Sequence, residues 1–367
     1  MAGVVAITGA SGVVGRKLSY ALEASGSIGK IIQIDIHEQT ATHPKVEFIQ
    51  ADIRHPLIAD VLRTYHVDTL IHLAFHGVPV NRSPRAHEVN VIGTMKLLNA
   101  CSAARIKKII VASTSAVYGA APTNPNFIRE RMVTSPPRNF PAVRDRLEVE
   151  KLCLDFARKH PTVMLIILRL GMMVGGPLEN FITRTLEAPV IPVVMGFDPL
   201  LQFVHEQDVV QAFQKAVEKD ISGIFNIAGP GAVPLSKIIR SMGKPMLPVP
   251  SRMLVPLLSL LWRLRLTGVP SGLIDYLKYL WAVDIDKARR ELGFSPAFTS
   301  EQAIMEVIEH LRIKPFLETS EDDLLIPDIK MQENLESFVD SRIKKIIDQD
   351  RVDSTAGVRV EPRDASA

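Results

Sequence analysis

The sequence holds only two cysteines in 367 residues, Cys101 and Cys153. Two thiols can build neither a disulfide scaffold nor a cysteine-ligated metal site. Both lie in helical stretches and read as small core residues. No segment approaches the ~18 consecutive apolar residues that a spanning helix needs. The apolar start, Ala2–Ala10, has no basic leader and runs straight into a glycine loop, so it reads as a strand, and a cytoplasmic protein is expected. A strong excess of one charge is also missing. Lys+Arg total 43 against Asp+Glu 40, a net charge of +3, too even for nucleic acid as the main partner.

What is present is a globular composition, 47% hydrophobic and 23% charged, enough for a sizeable core. The length suits two or more structural units or one large domain. Charge is unevenly spread: Glu318–Ala367 carries 13 acidic and 7 basic side chains. The remaining body is mildly basic, which suits an anionic ligand or an ordinary solvated surface.

The first third alternates apolar, β-branched runs with helical periods. Strands are expected at Val4–Thr8, Ile31–Asp35, Val46–Ala51, Thr69–Ala74 and Ile109–Ser113, with helices at Val13–Ala24, Ile58–Tyr65 and Ala86–Ala104 between them. A further helix, Arg144–Lys159, leads to a strand at Val163–Arg169. Strands without alternation, each followed by a helix, imply a parallel sheet covered on both faces. Right-handed crossovers then give an α/β, Rossmann-type doubly wound sheet. After Pro177 the chain is richer in proline and less regular. Ala188–Pro192 and Lys244–Pro250 read as loops, while Gln207–Lys219 and Ile224–Ile227 are expected to return to the main sheet. The division expected is a dinucleotide-binding domain over 1–176, a smaller substrate lobe over 177–314, and a C-terminal region over 315–367. That last region holds one helix, Met331–Ile347, and a polar tail without order.

Met253–Trp262 is nearly all apolar and flanked by Arg252, Arg263 and Arg265. Three readings stand open: a cover over a substrate pocket, an oligomer or core helix, and a helix lying on a membrane surface through residues 253–266.

The strongest motif is Thr8-Gly9-Ala10-Ser11-Gly12-Val13-Val14-Gly15, between a strand and a helix. Gly9 permits a sharp turn, Gly12 lets backbone approach a pyrophosphate, and Gly15 lets helix and sheet pack closely. Backbone amides from Thr8 to Val13, Ser11 included, would cradle the phosphates at a helix N-terminus. Asp35 closes the next strand, 20 residues after Gly15. An acid there accepts both ribose hydroxyls and repels a 2′-phosphate, which favours NAD over NADP.

With these residues the chain resembles the extended short-chain dehydrogenases/reductases of the NAD-dependent epimerase/dehydratase type, over roughly residues 3–312. The spacing Gly-x-x-Gly-x-x-Gly is theirs. The resemblance implies that Asp52-Ile53 contact adenine and that the backbone of Leu73 and Ala74 lines the cofactor. It also matches Asn90 to the family's helical Asn, and Ser113-Thr114-Ser115-Ala116-Val117-Tyr118-Gly119 to the active-site strand end, with Ser113 beside the cofactor. Further landmarks are Phe203–Val209, Phe225-Asn226-Ile227 and Glu291–Pro296. Thr114 takes the place of the hydroxyl that binds substrate oxygen, with Ser115 the contact after a one-residue slip. A homodimer is implied through Ala86–Ala104 and Arg144–Lys159.

Two departures stand out. The family's proton donor is the Tyr of Tyr-x-x-x-Lys, and no such spacing exists here. Matching Glu150 to the family's helical Glu puts Arg146 at the Lys position and Ala142 at the Tyr position. Arg146 can bind ribose hydroxyls and hold positive charge, but it does not give up its proton. Met172 stands where the family often has an Asn that contacts a nucleotide-sugar, which fits a more lipophilic substrate or plain core filling. His76 lies past the fourth strand and could supply an acid or base, or serve no chemical role. The expected catalytic set is therefore Thr114, Ser115 and Arg146, and the substrate set His76, Thr114, Met172 and Asn180. Two functions follow: hydride transfer at a carbinol or ketone carbon of a small molecule, or NAD(H) binding by a sensor or scaffold that has lost the Tyr/Lys pair.

Overall fold

The computed structural model describes residues 3–38, 43–75, 84–135, 140–175, 181–264 and 271–323. By contact the chain divides into Met1–Arg312 and Ile313–Ala367. Of the second unit only the helix end, to Asp323, is described. The expected helix Met331–Ile347 lies outside the described residues.

Six strands and five helices build the first half. In chain order they are β1 (Gly3–Thr8), α1 (Val13–Glu23), β2 (Ile28–Asp35), β3 (Val46–Gln50), α2 (Ile58–Thr64) and β4 (Thr69–His72). Then come α3 (Pro84–His87), a π-helical turn Glu88–Ile92, α4 (Gly93–Ala104), β5 (Lys108–Thr114), a 3₁₀ turn Ser115–Tyr118, α5 (Pro141–Lys159) and β6 (Met164–Leu170). The second half contributes β7 (Met172–Val174), α6 (Phe181–Glu187), β8 (Ile191–Val194), β9 (Leu200–Leu201), β10 (Phe203–His205) and α7 (Glu206–Glu218). It continues with β11 (Gly223–Ile227), β12 (Val233–Pro234), α8 (Leu235–Ser241), β13 (Met246–Val249), α9 (Ser251–Arg263) and α10 (Ser300–Asp323).

Seven strands form one parallel sheet in the order β11-β6-β5-β4-β1-β2-β3. The doubly wound architecture expected from the apolar, non-alternating strands is the one found. Each face carries its own core. Leu18 and Leu22 of α1 and Val209 and Phe213 of α7 pack on one side. Leu62 of α2, Leu97 of α4, and Val149 and Phe156 of α5 pack on the other. Cys101 and Cys153 are buried in that second core, where burial pushes the Cys153 thiol up to about 12.

The order reverses between β1 and β4, so a crevice opens at the carboxyl ends of those two strands, where open α/β sheets take their ligands. Ile224–Ile227 joins the sheet edge as expected, paired with β6.

Two loop expectations are corrected. Residues 191–194, overlapping Ala188–Pro192, and residues 246–249, inside Lys244–Pro250, pair as parallel strands. Each contains a proline, Pro192 and Pro248, which argued against a strand. A two-stranded ribbon has two open edges, however, so a missing N–H costs no ladder bond there. This ribbon and a third core around Ile238, Ile304 and Val307 shape the second half.

Candidate active site

The loop after β1 is set by two close approaches. Gly9 has φ +75°, and a Cβ there would lie 2.6 Å from Ala74 N. A Cβ on Gly15 would lie 2.5 Å from Gly9 O. Both glycines are therefore required by the fold itself. Gly12 differs: its φ of −67° and ψ of 162° suit any residue, and an added Cβ would meet only Gly9 O, at 3.4 Å. The polypeptide does not need a glycine at 12, so a small residue there leaves room for something outside it. Val13, just after it, opens α1, whose first amides lack intrahelical acceptors and are suited to an anion.

Asp35 ends β2, buried, beside this loop. Its Oδ2 accepts the Ser11 N–H at 2.9 Å and its Oδ1 the His37 N–H at 3.1 Å. Burial opposes ionisation, but the N–H groups of His37 and Ser11 outweigh it and hold the carboxyl below its ordinary value. Asp52 is gripped by Arg54 through Nε at 3.0 Å and Nη2 at 2.7 Å. Ile53 is buried, its side chain against the face of Gly93. A loop that can hold two phosphates, followed by a fixed carboxylate one strand over, fits a dinucleotide such as NAD.

Beneath the crevice His72 is a buried bridge. Its Nδ1 lies 2.8 Å from Thr8 Oγ1 and its Nε2 2.9 Å from Thr94 Oγ1. Thr94 Oγ1 donates to the Asn90 carbonyl at 2.5 Å, so its lone pair accepts from His72 Nε2–H, and Nδ1 accepts from Thr8. Burial first, and the charge of Arg146 second, push this imidazole down to about 3, so it is neutral at physiological pH. Asn90 sits in the π-helical turn, its Nδ2 donating to Asp145 Oδ2 at 3.3 Å.

Helix α5 delivers three charged groups to three places. Asp145 also meets His87 Nδ1 at 2.8 Å. Arg146 donates from Nη1 to Ala112 O at 3.1 Å and lies 3.5 Å over the Phe75 ring. Burial pushes its guanidinium down to about 9 against the opposing Asp145 and Glu150 carboxylates, which leaves it cationic at neutral pH. One turn on, Glu150 accepts Ser113 Oγ–H at 2.5 Å and forms a buried, two-pronged pair with Arg169, Nη2 to Oε2 at 2.6 Å. Burial disfavours that cation, yet Glu150 holds Arg169 above its ordinary value.

Thr114 ends β5 and caps the 3₁₀ turn, accepting the Ala116 N–H at 3.2 Å. Its own hydroxyl proton remains available to a ligand oxygen. Ser115 is buried in that turn. Ala142 is half-buried against the first core. Near it, Phe140 stands edge-on to Tyr276, which stands edge-on to Trp281. Tyr276 Oη donates to Ala116 O at 2.5 Å, and burial holds its phenol above the ordinary value. No acidic phenol therefore takes the place of residue 142 among these side chains.

The backbone of Leu73 and Ala74 lies against Gly9. Met172 begins β7, half-buried between the first and third cores. His76 and Asn180 lie outside the described residues. The sequence reading missed the Thr8–His72–Thr94 bridge and the pairing of Arg169 with Glu150. The available signal for the second was an arginine inside the apolar run Leu165–Leu170, since a buried cation requires a partner.

Comparison with known proteins agrees with this frame. The family model of the NAD dependent epimerase/dehydratase family matches residues 5–228. An uncharacterized protein of Mycobacterium bovis, Mb0513, is 31% identical over 322 residues, 86% of each chain. UDP-glucuronic acid decarboxylase 6 of Arabidopsis thaliana is 27% identical over 218 residues, 55% of this chain and 61% of that one. Among solved structures, MoeE5 in complex with UDP-glucuronic acid and NAD superposes with a TM-score of 0.68 at 23% identity, over 85% of this chain and all of that one. The UDP-glucuronic acid 4-epimerase of Bacillus cereus, in complex with UDP-glucuronic acid and NAD, gives 0.66 at 19% identity, over 84% of this chain and 99% of that one. At these identities the solved structures speak for the fold alone.

Proposed function

This chain belongs to the NAD dependent epimerase/dehydratase family, and we propose that it is an NAD-linked oxidoreductase acting at a carbinol or ketone carbon of a small molecule. The observation that carries the reading is Gly12, a glycine the protein's own backbone does not require, at the opening of α1 beside a fixed Asp35. Bound NAD supplies a hydride acceptor or donor. The opening amides of α1, from Val13 onward, would hold its diphosphate, since those of Gly9, Ser11 and Gly12 already donate to Ile34 O, Asp35 Oδ2 and Gly9 O. Asp35 would hold its adenosine ribose, against which a 2′-phosphate would be repelled.

The remaining work falls to this chain's own side chains. Thr114 donates its free hydroxyl proton to the substrate oxygen and orients the reacting carbon. Arg146, fixed by Ala112 O and Phe75, supplies ribose-binding donors and a constant positive charge, which favours an oxyanion. It shuttles no proton. Proton exchange is therefore assigned to solvent or to a substrate group. UDP-sugars, which MoeE5 and the Bacillus cereus enzyme hold, are the first substrate class to test, and Met172 makes lipophilic alcohols and ketones the second. Incubation of purified protein with NAD and UDP-sugar, sterol or acyl substrates, followed by NADH absorbance and product mass, is the test. Silence across all classes overturns the catalytic reading.

One observation favours a second reading, a NAD(H)-binding sensor or scaffold: alanine, not tyrosine, occupies position 142. Tight NADH binding without turnover, with no activity gained by Ala142→Tyr plus Arg146→Lys, supports it. Turnover lost in Thr114→Ala excludes it. A cytoplasmic homodimer through α4 and α5 is part of the proposal, supported by Met95 and Leu154, large apolar side chains left exposed on those helices.

A further inference from the structure

Helix α9 has two apolar stripes. Leu254 is buried inward with Val194 and Ile274, and Leu258 packs against them. Met253, Leu257 and Leu260, with Leu264 just past the helix end, lie about 110° round the helix from that stripe, with 64%, 51%, 54% and 57% of their surface exposed. At about 100° per residue these four fall within roughly 40° of one line along the helix. Exposure extends onto the strand that leads into α9, at Met246 and Leu247 of β13. An apolar stripe of this kind, turned out of a helix that already has a buried stripe, calls for an occupant.

Charge identifies the occupant. From Ile221 to Ile274 the sequence contains no Asp or Glu, while Lys237, Arg240, Lys244, Arg252, Arg263 and Arg265 all fall within it. Arg252 is exposed at the head of the helix, next to Met253. Lys237 is already paired with Glu301, but Arg252 has no acid in its own segment, and a second copy of the same stripe supplies none from that segment. An anionic lipid surface answers both features, since leucine and methionine side chains enter the acyl boundary while arginine and lysine meet the headgroups. No helix among the described residues is long and apolar enough to cross a membrane, and α9, of 13 residues, has the length to lie along one. We infer that the outward face of α9 docks this protein on an anionic membrane.

The test is co-sedimentation of the full chain with vesicles of phosphatidylcholine alone and with phosphatidylglycerol added, at low and at high salt. Pelleting is expected only with phosphatidylglycerol, and to fall at least tenfold in high salt. Leu257→Glu with Leu260→Glu should abolish it, and Arg252→Glu should weaken it several-fold, while NAD-induced thermal stabilisation stays unchanged in both. Protein left in the supernatant with anionic vesicles overturns the inference. So does a dimer by light scattering that Leu257→Glu with Leu260→Glu converts to a monomer, because the face would then be spent on a second copy. NAD binding measured in parallel keeps failure at the membrane separate from failure of the cofactor site.

Discussion

Two glycines in one loop separate what the fold needs from what the cofactor needs. Alanine at Gly15 would place a methyl 2.5 Å from Gly9 O and 2.7 Å from the Ala10 Cα. Both are backbone atoms and cannot rotate away, so Gly15→Ala should cost about 1–3 kcal/mol through overpacking. Alanine at Gly12 meets one oxygen at 3.4 Å in a conformation open to every residue. Its cost is confined to alanine's weaker helix capping, within about 1 kcal/mol. The new methyl would stand where backbone must approach the diphosphate, and a tenfold loss of affinity corresponds to about 1.4 kcal/mol. At a NAD concentration of roughly 100 times the wild-type Kd, binding stabilises the native state by about 2.7 kcal/mol. A tenfold weaker variant retains about half of that. Thermal melts with and without NAD should therefore show Gly12→Ala close to wild type alone and about half as responsive to NAD, and Gly15→Ala already lower alone. A NAD response in Gly12→Ala equal to wild type would refute the cradle, as would a NAD-free melt as low as that of Gly15→Ala.

Three further outcomes follow from single side chains. His72 is held down to about 3 in the fold against an ordinary 6.5. Between those values the unfolded chain takes a proton that the native state refuses, so stability is full above pH 6.5 and falls as pH drops, by up to about 1.4 kcal/mol per unit. Urea midpoints for wild type and His72→Gln should diverge in slope below pH 6.5, and parallel curves would contradict the assignment. Glu150→Gln leaves Arg169 buried without a counter-charge and should cost about 3–5 kcal/mol in urea denaturation, whereas a loss under 1 kcal/mol would mean the pair is not desolvated in solution. Thr114→Ala should preserve the NAD-induced thermal shift and abolish hydride transfer to the substrate found, and a combined loss of both would place Thr114 in cofactor binding instead.

The sheet strands, the glycine loop and Asp35 were legible because their signals are local. A non-alternating apolar run, a glycine spacing and an acid at a strand end each declare themselves within a few residues. The pairing of β8 with β13 was not legible, since each is four residues long, contains a proline, and finds its partner some fifty positions away. The bridge from Thr8 through His72 to Thr94 draws on β1, β4 and α4, and the cluster of Ser113, Glu150 and Arg169 on β5, α5 and β6. No spacing rule links such positions, because what brings them together is the lateral stacking of strands under one helix.

The chain by itself determined the parallel sheet, the dinucleotide loop and the absence of any Tyr-x-x-x-Lys spacing, for these are matters of residue type and period. Only the tertiary structure decided that Gly12 is spare room while Gly9 and Gly15 are necessities, and that Arg146 is held by Phe75 and Ala112. It alone decided that the apolar helix 251–263 shows a second stripe to the outside. Those facts depend on distances between segments remote in sequence, and burial and close contact exist only once the segments have packed.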